Sequence, residues 1–294
     1  LSTTTIHRSR YTRRLMPRSI HGYTRAPIPW HTAGVRIVQI TDLHLDLEER
    51  TPHGIDVWEN ARWAVATARD ARPDLVVVSG DLALHYGSPE LYAALPPLFA
   101  GLGCDYLLLP GNHDDRSAFG AAFGRRYALR EDTPWLDRQV DAGGVPMLLL
   151  DSSAGRLEER QLAWVDAVLT ARTAAAARGA GPPGVLVWIH HPVLTGFHRY
   201  MDGAYPLQNA DAVRAVLTRH RRALSIELFC GHYHCEDSRV DGIRQHTTPS
   251  TYMQIDPEPE EFRVLPGGPA IRIVDVDTAG AVETVVVYRD ERFD

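Results

Sequence analysis

The chain has 294 residues, 44% hydrophobic and 23% charged, the balance of a globular protein with a sizeable core. No apolar run approaches the roughly 20 residues a helix needs to cross a bilayer, and Gly and Pro are at ordinary levels, so helical membrane spans, collagen-like chains and broad disorder are excluded. Charge is uneven: residues 1–34 hold six of the 31 basic residues and no Asp or Glu, leaving 25 basic against 37 acidic side chains, a formal net charge of −12. An acidic body disfavours nucleic acid as partner, because that binding rests on neutralising a run of phosphates. A small phosphate ester stays compatible if metal ions supply the positive charge. Every basic residue is Arg, which reads as coding bias. Three cysteines, Cys104, Cys230 and Cys235, are too few for a disulfide framework and fit a reducing, cytoplasmic setting.

Residues 1–34 are rich in Arg, Ser and Thr and lack the apolar stretch of a secretory signal. The expectation is a basic, disordered extension. A transit peptide, an upstream region read from too early a start (Met16 being the later candidate) and a basic binding arm are the competing readings. The folded domain is then expected over 35–294.

From residue 35 a rhythm of strand, polar loop and helix begins. Residues 35–41 (VRIVQIT) predict a strand ending in Asp42-Leu43-His44. Residues 56–71 carry helical spacing through Trp58, Ala61, Val65 and Ala68. Residues 75–79 (LVVVS) predict a buried strand ending in Gly80-Asp81, and Ser88-Pro89-Glu90 a helix start with Ser as N-cap and Pro at the first helical position. Residues 106–109 form an apolar run ending in Pro110-Gly111-Asn112-His113-Asp114, and residues 147–150 another ending in Asp151-Ser152-Ser153. Residues 158–177 predict a long helix; 185–189 a strand ending in His190-His191-Pro192; 209–221 a helix with Asn209 as N-cap. Residues 226–229 lead into Cys230-Gly231-His232-Tyr233-His234, and 270–276 with 281–288 predict a hairpin around Asp277-Thr278-Ala279-Gly280. Alternating strands and helices imply α/β layers, and wholly apolar runs imply strands covered on both faces.

Five of these strands deliver metal-ligand residue types to the following loop: Asp42 and His44, Asp81, Asn112 and His113, His190, then His232 and His234. In open α/β sheets such loops gather outside the carboxyl ends of the strands, so the five sets converge. Carboxylate, imidazole and amide oxygen suit Mn, Fe or Zn better than a thiolate site would. An extended i, i+2 spacing would put Asp42 and His44 on one face, and likewise His232 and His234 unless the backbone turns between them. Eight candidate residues exceed the need of one four-coordinate ion. Two ions sharing a carboxylate would use seven, the arrangement that clamps a phosphoryl group and activates water. Cys230 and Cys235 flank the last block, yet a Cys ending an apolar strand reads as a small hydrophobe. Arg116 and Arg199 read as solvent-exposed.

These residues resemble the calcineurin-like metallophosphoesterase superfamily, whose blocks D-x-H, G-D, G-N-H-[DE], H-x-P and G-H-x-H stand here in order as Asp42-Leu43-His44, Gly80-Asp81, Gly111-Asn112-His113-Asp114, His190-His191-Pro192 and Gly231-His232-Tyr233-His234. The stretches ITDLHL, RLEERQLAWV (156–165), LQNA (207–210) and TTPSTYMQ (247–254) are similar to the class III cyclic-nucleotide phosphodiesterases. The resemblance implies a four-layer α/β sandwich, two mixed β-sheets flanked by helices. It implies two divalent or trivalent ions, Mn or Fe first and Zn also acceptable. Asp42, His44 and His234 would hold one ion, Asn112, His190 and His232 the other, and Asp81 would bridge them. His113, held by Asp114, would contact the phosphate and protonate the leaving oxygen, with Asn112 also meeting substrate. The reaction implied is hydrolysis of a small phosphodiester, 3′,5′-cyclic AMP or a related nucleotide, by hydroxide held between the metals. Other esters (glycerophosphodiester, 2′,3′-cyclic nucleotide, nucleotide-sugar pyrophosphate, phosphomonoester) are the alternatives, and a non-catalytic binding module of the same fold the alternative of another class. No nucleic-acid partner is expected, and a homodimer is left open. The connection between Asp151 and Arg156 is shorter than in that branch. The segment 195–205 follows the His-x-Pro block as a wall over the substrate, with His198 expected to bind it.

Overall fold

The computed structural model describes residues 34–47, 51, 53–127 and 135–289. The basic extension expected over 1–34 lies outside them except for Gly34. β1 (Val35–Ile40) pairs in parallel with β2 (Leu75–Ser79), Val38 opposite Val76. Between them runs α1 (Val57–Ala71), buried through Val57, Ala61, Ala64, Val65 and Ala68. Asp56 caps it by accepting from Glu59 N at 2.7 Å, and Arg72 ends it at φ 54°. α2 (Pro89–Phe99) starts as its sequence predicts, with Ser88 Oγ accepting from Leu91 N at 3.1 Å. β3 (Asp105–Leu109) adds in parallel to β2.

Next come α3 (Arg116–Tyr127), β4 (Arg138–Ala142), β5 (Val145–Leu150), α4 (Glu159–Ala177), β6 (Gly184–Ile189), α5 (Arg199–Ala204), α6 (Ala210–Arg219), β7 (Ser225–Cys230), β8 (Asp237–Val240), β9 (Arg244–Thr247), β10 (Gln254–Ile255), β11 (Val264–Leu265), β12 (Ala270–Val276) and β13 (Val282–Tyr288). One sheet runs β13-β12-β1-β2-β3, the other β4-β5-β6-β7-β9-β8, and both mix parallel with antiparallel neighbours. β10 and β11 form a small ribbon. The hairpin of β12 and β13 forms where expected, its turn held by Asp277 Oδ1 accepting from the amides of Ala279 and Ala281.

The two sheets face each other across one apolar layer. Ile37, Val77 and Val274 of the first meet Met147, Leu149, Leu186, Trp188 and Phe229 of the second, with Trp188 stacked on Phe229 at 4.6 Å. Alternate residues of the second sheet, Leu148, Val187 and Leu228 among them, turn the other way and pack on Val165 and Leu169 of α4 and Val213 and Leu217 of α6. The expected four-layer α/β sandwich is therefore the fold. No helix among the described residues is long and apolar enough to cross a membrane.

α3, β4, α5, β8 and β9 carry no strong sequence signal. Gly120 and Gly124 dilute α3; β4 and β8 carry polar residues at the sheet edges, and β9 is four polar residues long. Asn209 sits at the N-cap of α6, but its side chain does not cap it. Instead Oδ1 accepts from Leu157 N at 3.1 Å and Nδ2 donates to Leu157 O at 2.7 Å, tying α6 to the start of α4.

Candidate metal centre

The loops after β1, β2, β3, β6 and β7 open at one end of the sandwich and carry the five motif blocks. Among the described residues, six non-glycine residues have left-handed backbone. Five are Asp42 (φ 54°), His44 (45°), Asp81 (51°), His232 (65°) and His234 (49°). The extended i, i+2 geometry expected of Asp42 and His44 is thus corrected. The chain turns at these five positions, a conformation Asp and His tolerate better than most side chains. At the last block the turn sends His232 and His234 to different clusters.

Asp42, His44 and His234 form the first cluster. Nε2 of His234 lies 3.3 Å from Asp42 Oδ1 and 3.0 Å from His44 Nε2. Asp81, His190 and His232 form the second, with His190 Nε2 at 3.2 Å from Asp81 Oδ2. The same Asp81 Oδ2 is 3.6 Å from His44 Nε2, so one carboxylate oxygen stands between the clusters. His190 Nδ1 faces Ser79 O at 2.9 Å, His234 Nδ1 faces Met253 O at 2.9 Å and His232 Nε2 faces Tyr205 O at 2.9 Å. A carbonyl only accepts, so each of those nitrogens donates and the opposite nitrogen of each ring is left free to ligate. Nε2 of His190 is buried without a hydrogen-bond partner. A buried lone pair beside two carboxylates fits a cation.

The electrostatics point the same way. Burial alone would raise the Asp42 carboxyl, yet His234 and His190 bring it down to about 2. Asp81 is also buried and is held well below the carboxylate range, chiefly by His190. Burial pushes His44 down to about 3 and His232 down to about 4, so both rings are neutral. Burial also opposes charge on His190, but Asp81 and Asp42 lift it to about 9. The pocket thus holds two carboxylates and neutral imidazoles, and cations can take the place of the His190 proton.

The carboxylates are aimed by their surroundings. Asp42 accepts from His232 N at 3.0 Å and Thr41 Oγ1 at 2.8 Å, and Asp81 Oδ1 accepts from His113 N at 2.9 Å. Ser250 and Thr251 donate to the Asp42 carbonyl. His191 backs the second cluster, its ring 4.2 Å from that of His232 and its Nδ1 paired with Ser152 Oγ. Motif reading misses these supports. Carbonyls of Ser79, Met253 and Tyr205 have no side-chain signature, and Ser250 and Thr251 lie in the 247–254 stretch without marking themselves out.

Asp114, His198 and Arg116 stand differently from what the sequence suggests. His113 is half-exposed, its ring against His44 at 4.9 Å, and its Nδ1 faces the Leu84 carbonyl at 2.6 Å. Asp114 does not hold that ring. It is buried and accepts from Gly111 N (2.8 Å), Leu82 N (3.1 Å), Ala83 N (3.2 Å) and Tyr92 OH (3.0 Å), lacing together the loops after β2 and β3. Burial, with the Asp81 charge nearby, raises its carboxyl to about 6. His198, expected at the substrate, is fully buried. Its Nδ1 accepts from Met201 N at 3.3 Å as the cap of α5, and it packs on Tyr233. It shapes the wall without facing the opening. Asn112 is exposed beside His113. Arg116, expected in solvent, pairs with buried Asp151 at 2.9 Å. Cys230 and Cys235 are buried thiols, Cys230 pushed up to about 12 by burial, and they join no ligand cluster.

The block glycines are steric requirements. A Cβ on Gly111 would stand 2.1 Å from Asp81 Oδ1, and one on Gly231 2.4 Å from Asp42 Oδ2 and 2.1 Å from Thr41 Oγ1. Gly231→Ala should therefore push the Asp42 carboxylate off the first cluster. Metal affinity is expected to fall at least ~10-fold while the fold is kept, as seen for outer-shell damage to metal sites. Metal titration beside a circular dichroism spectrum reads both, and unchanged affinity would contradict the close approach.

Residues 35–236 match the model of the calcineurin-like phosphoesterase family. The 3′,5′-cyclic adenosine monophosphate phosphodiesterase CpdA of Escherichia coli K12 is 29% identical over 263 residues, 86% of this chain and 90% of that protein. The glycerophosphodiester phosphodiesterase GpdQ of Enterobacter lignolyticus is 30% identical over 208 residues, 67% of this chain and 70% of that protein. A dimetal phosphatase from Danio rerio superposes with a TM-score of 0.63 at 17% identity, covering 87% of this chain and 99% of that one, a likeness of fold. With the five blocks assembled around one shared carboxylate and the match spanning most of both sheets, the chain belongs to the calcineurin-like phosphoesterase family, whose chemistry is metal-dependent phosphoester hydrolysis.

Proposed function

We propose that this chain hydrolyses a small phosphodiester, 3′,5′-cyclic AMP or a related cyclic nucleotide, with two metal ions. The observation that carries the reading is Asp81 Oδ2, 3.2 Å from His190 and 3.6 Å from His44, one oxygen lying between the two ligand clusters. Asp42, His44 and His234 would hold one ion, and Asn112, His190 and His232 the other. Nitrogen and oxygen donors without thiolate favour Mn or Fe, with Zn acceptable. When bound, such a pair neutralises the phosphoryl oxygens and lowers the pKa of a water.

The chain's own groups supply the rest. His113 Nδ1 is engaged by the Leu84 carbonyl, which leaves Nε2 to hold a proton for the departing sugar oxygen. The amide of Asn112, exposed beside His113, would meet a phosphoryl oxygen. Asp114 keeps the loops of Asp81 and His113 in register. A cytoplasmic enzyme acting on a small molecule, without nucleic acid and with a homodimer open, belongs to the same reading.

A glycerophosphodiester substrate is the second reading, favoured by the resemblance to the Enterobacter lignolyticus protein. The test is turnover after reconstitution with Mn or Fe, using 3′,5′-cyclic AMP, cyclic GMP, 2′,3′-cyclic AMP, a glycerophosphodiester and a phosphomonoester. The 3′,5′-cyclic nucleotides should give the highest kcat/KM. A glycerophosphodiester or monoester turned over faster would overturn the assignment.

A further inference from the structure

An arc of rings borders the metal centre. Tyr252 is buried against His44, their centroids 5.3 Å apart. His53 lies 6.2 Å from Tyr252, Phe262 6.4 Å from His53, Tyr200 5.6 Å from Phe262 and Tyr205 6.0 Å from Tyr200. The arc begins at a ligand of the first cluster and ends at the second, because the Tyr205 carbonyl accepts from His232. Its members come from segments far apart in sequence: the stretch before α1, α5 with its C-cap, and the region from the end of β9 to β11.

Three rings of the arc are presented to solvent, His53 being one. Tyr205 is 54% exposed and Phe262 43%, while Tyr92, Phe99, Phe119, Trp188 and Phe229 are buried in the core. Large rings left in water singly are ordinary, but rings in contact and flanking a catalytic cleft mark a binding surface. We propose that Phe262 and Tyr205, joined by Tyr200, form a stacking subsite for the planar base of a nucleoside phosphodiester whose phosphate sits at the metal centre. This rests on the phosphodiesterase reading and extends it to what distinguishes one diester from another. Any base has a π-face, so such a platform gains from every nucleobase and nothing from a glycerol group.

A quaternary ammonium headgroup is the other ligand that aromatic rings recognise. The geometry favours the base. Phe262 is tilted 60° from Tyr200 and 39° from His53, so the rings make a one-sided arc, not a box around a cation.

The test compares Phe262→Ala and Tyr200→Ala with the wild-type enzyme, loaded with Mn, on 3′,5′-cyclic AMP, glycerophosphoglycerol and glycerophosphocholine. Losing one stacked base contact is expected to cut kcat/KM for cyclic AMP about 5- to 100-fold, with glycerophosphoglycerol within about 2-fold of wild type. Phe262→Trp should restore the cyclic AMP value. Calorimetry with AMP and with inorganic phosphate gives a second readout, in which only AMP binding weakens. Equal loss on all three diesters, or loss confined to glycerophosphocholine, overturns the base subsite. If the wild-type enzyme cleaves none of the diesters, the phosphodiesterase reading fails by itself. AMP binding that still depends on Phe262 would then uphold the subsite.

Discussion

Asp81→Ala should bring hydrolysis of bis(p-nitrophenyl) phosphate to background and strip the protein of metal. Loss of an outer partner of a metal ligand typically lowers affinity 10- to 100-fold. Asp81 is closer to the chemistry than that. Its Oδ2 lies 3.2 Å from His190 Nε2 and 3.6 Å from His44 Nε2, between the two clusters, and its charge favours a cation there. The expected drop in metal affinity is therefore more than ~100-fold, read by elemental analysis of the dialysed protein. Asp81→Asn sharpens the result. It keeps the shape and an oxygen for the His113 amide but removes the charge, so metal should again be lost while the fold survives. A variant that keeps two ions and full turnover would refute the sharing of Asp81.

His113→Ala is the complementary case. Removing a positioned general acid costs about 10²- to 10⁴-fold in rate. That loss should fall on kcat with metal content unchanged. The geometry makes the measurement decisive, because a His113 ring nitrogen lies within 4.8 Å of potential ligand atoms of His44 and Asp81. If an ion leaves with the imidazole, His113 is a ligand and the proton-transfer role falls. Substrates with better leaving groups give a further check. A nitrophenolate needs little protonation, so the variant should lose less activity on bis(p-nitrophenyl) phosphate than on a cyclic nucleotide with its alkoxide leaving group.

The sequence announces much of this architecture because burial on two faces leaves a plain mark. β2 falls on the predicted residues since its apolar run is continuous, and β12 since the Asp277-Thr278-Ala279-Gly280 turn marks its end. α2 starts where Ser88 and Pro89 say it should. α3 goes unseen because its interior glycines resemble a loop, β8 because an edge strand carries polar side chains, and β9 because its four residues, RQHT, are all polar although it lies inside the sheet. The metal ligands are legible because carboxylate and imidazole types recur after successive strands. How they converge is not, since the left-handed turns at Asp42, His44, His232 and His234 replace the flat spacing that residue order suggests. His198 lies in the wall segment but faces inward, and Asp114 braces backbone amides instead of the neighbouring ring. Side-chain direction in an irregular loop depends on what packs behind it, and one strand of sequence does not hold that information.

The twisted backbone at five ligand positions has an evolutionary corollary. A left-handed residue other than glycine costs about 1 kcal/mol or more. A glycine at position 81 or 232 would relax the loop and abolish the chemistry together. Variants selected for heat tolerance without any demand for turnover should drift toward such changes, and this corner of the protein would decay first.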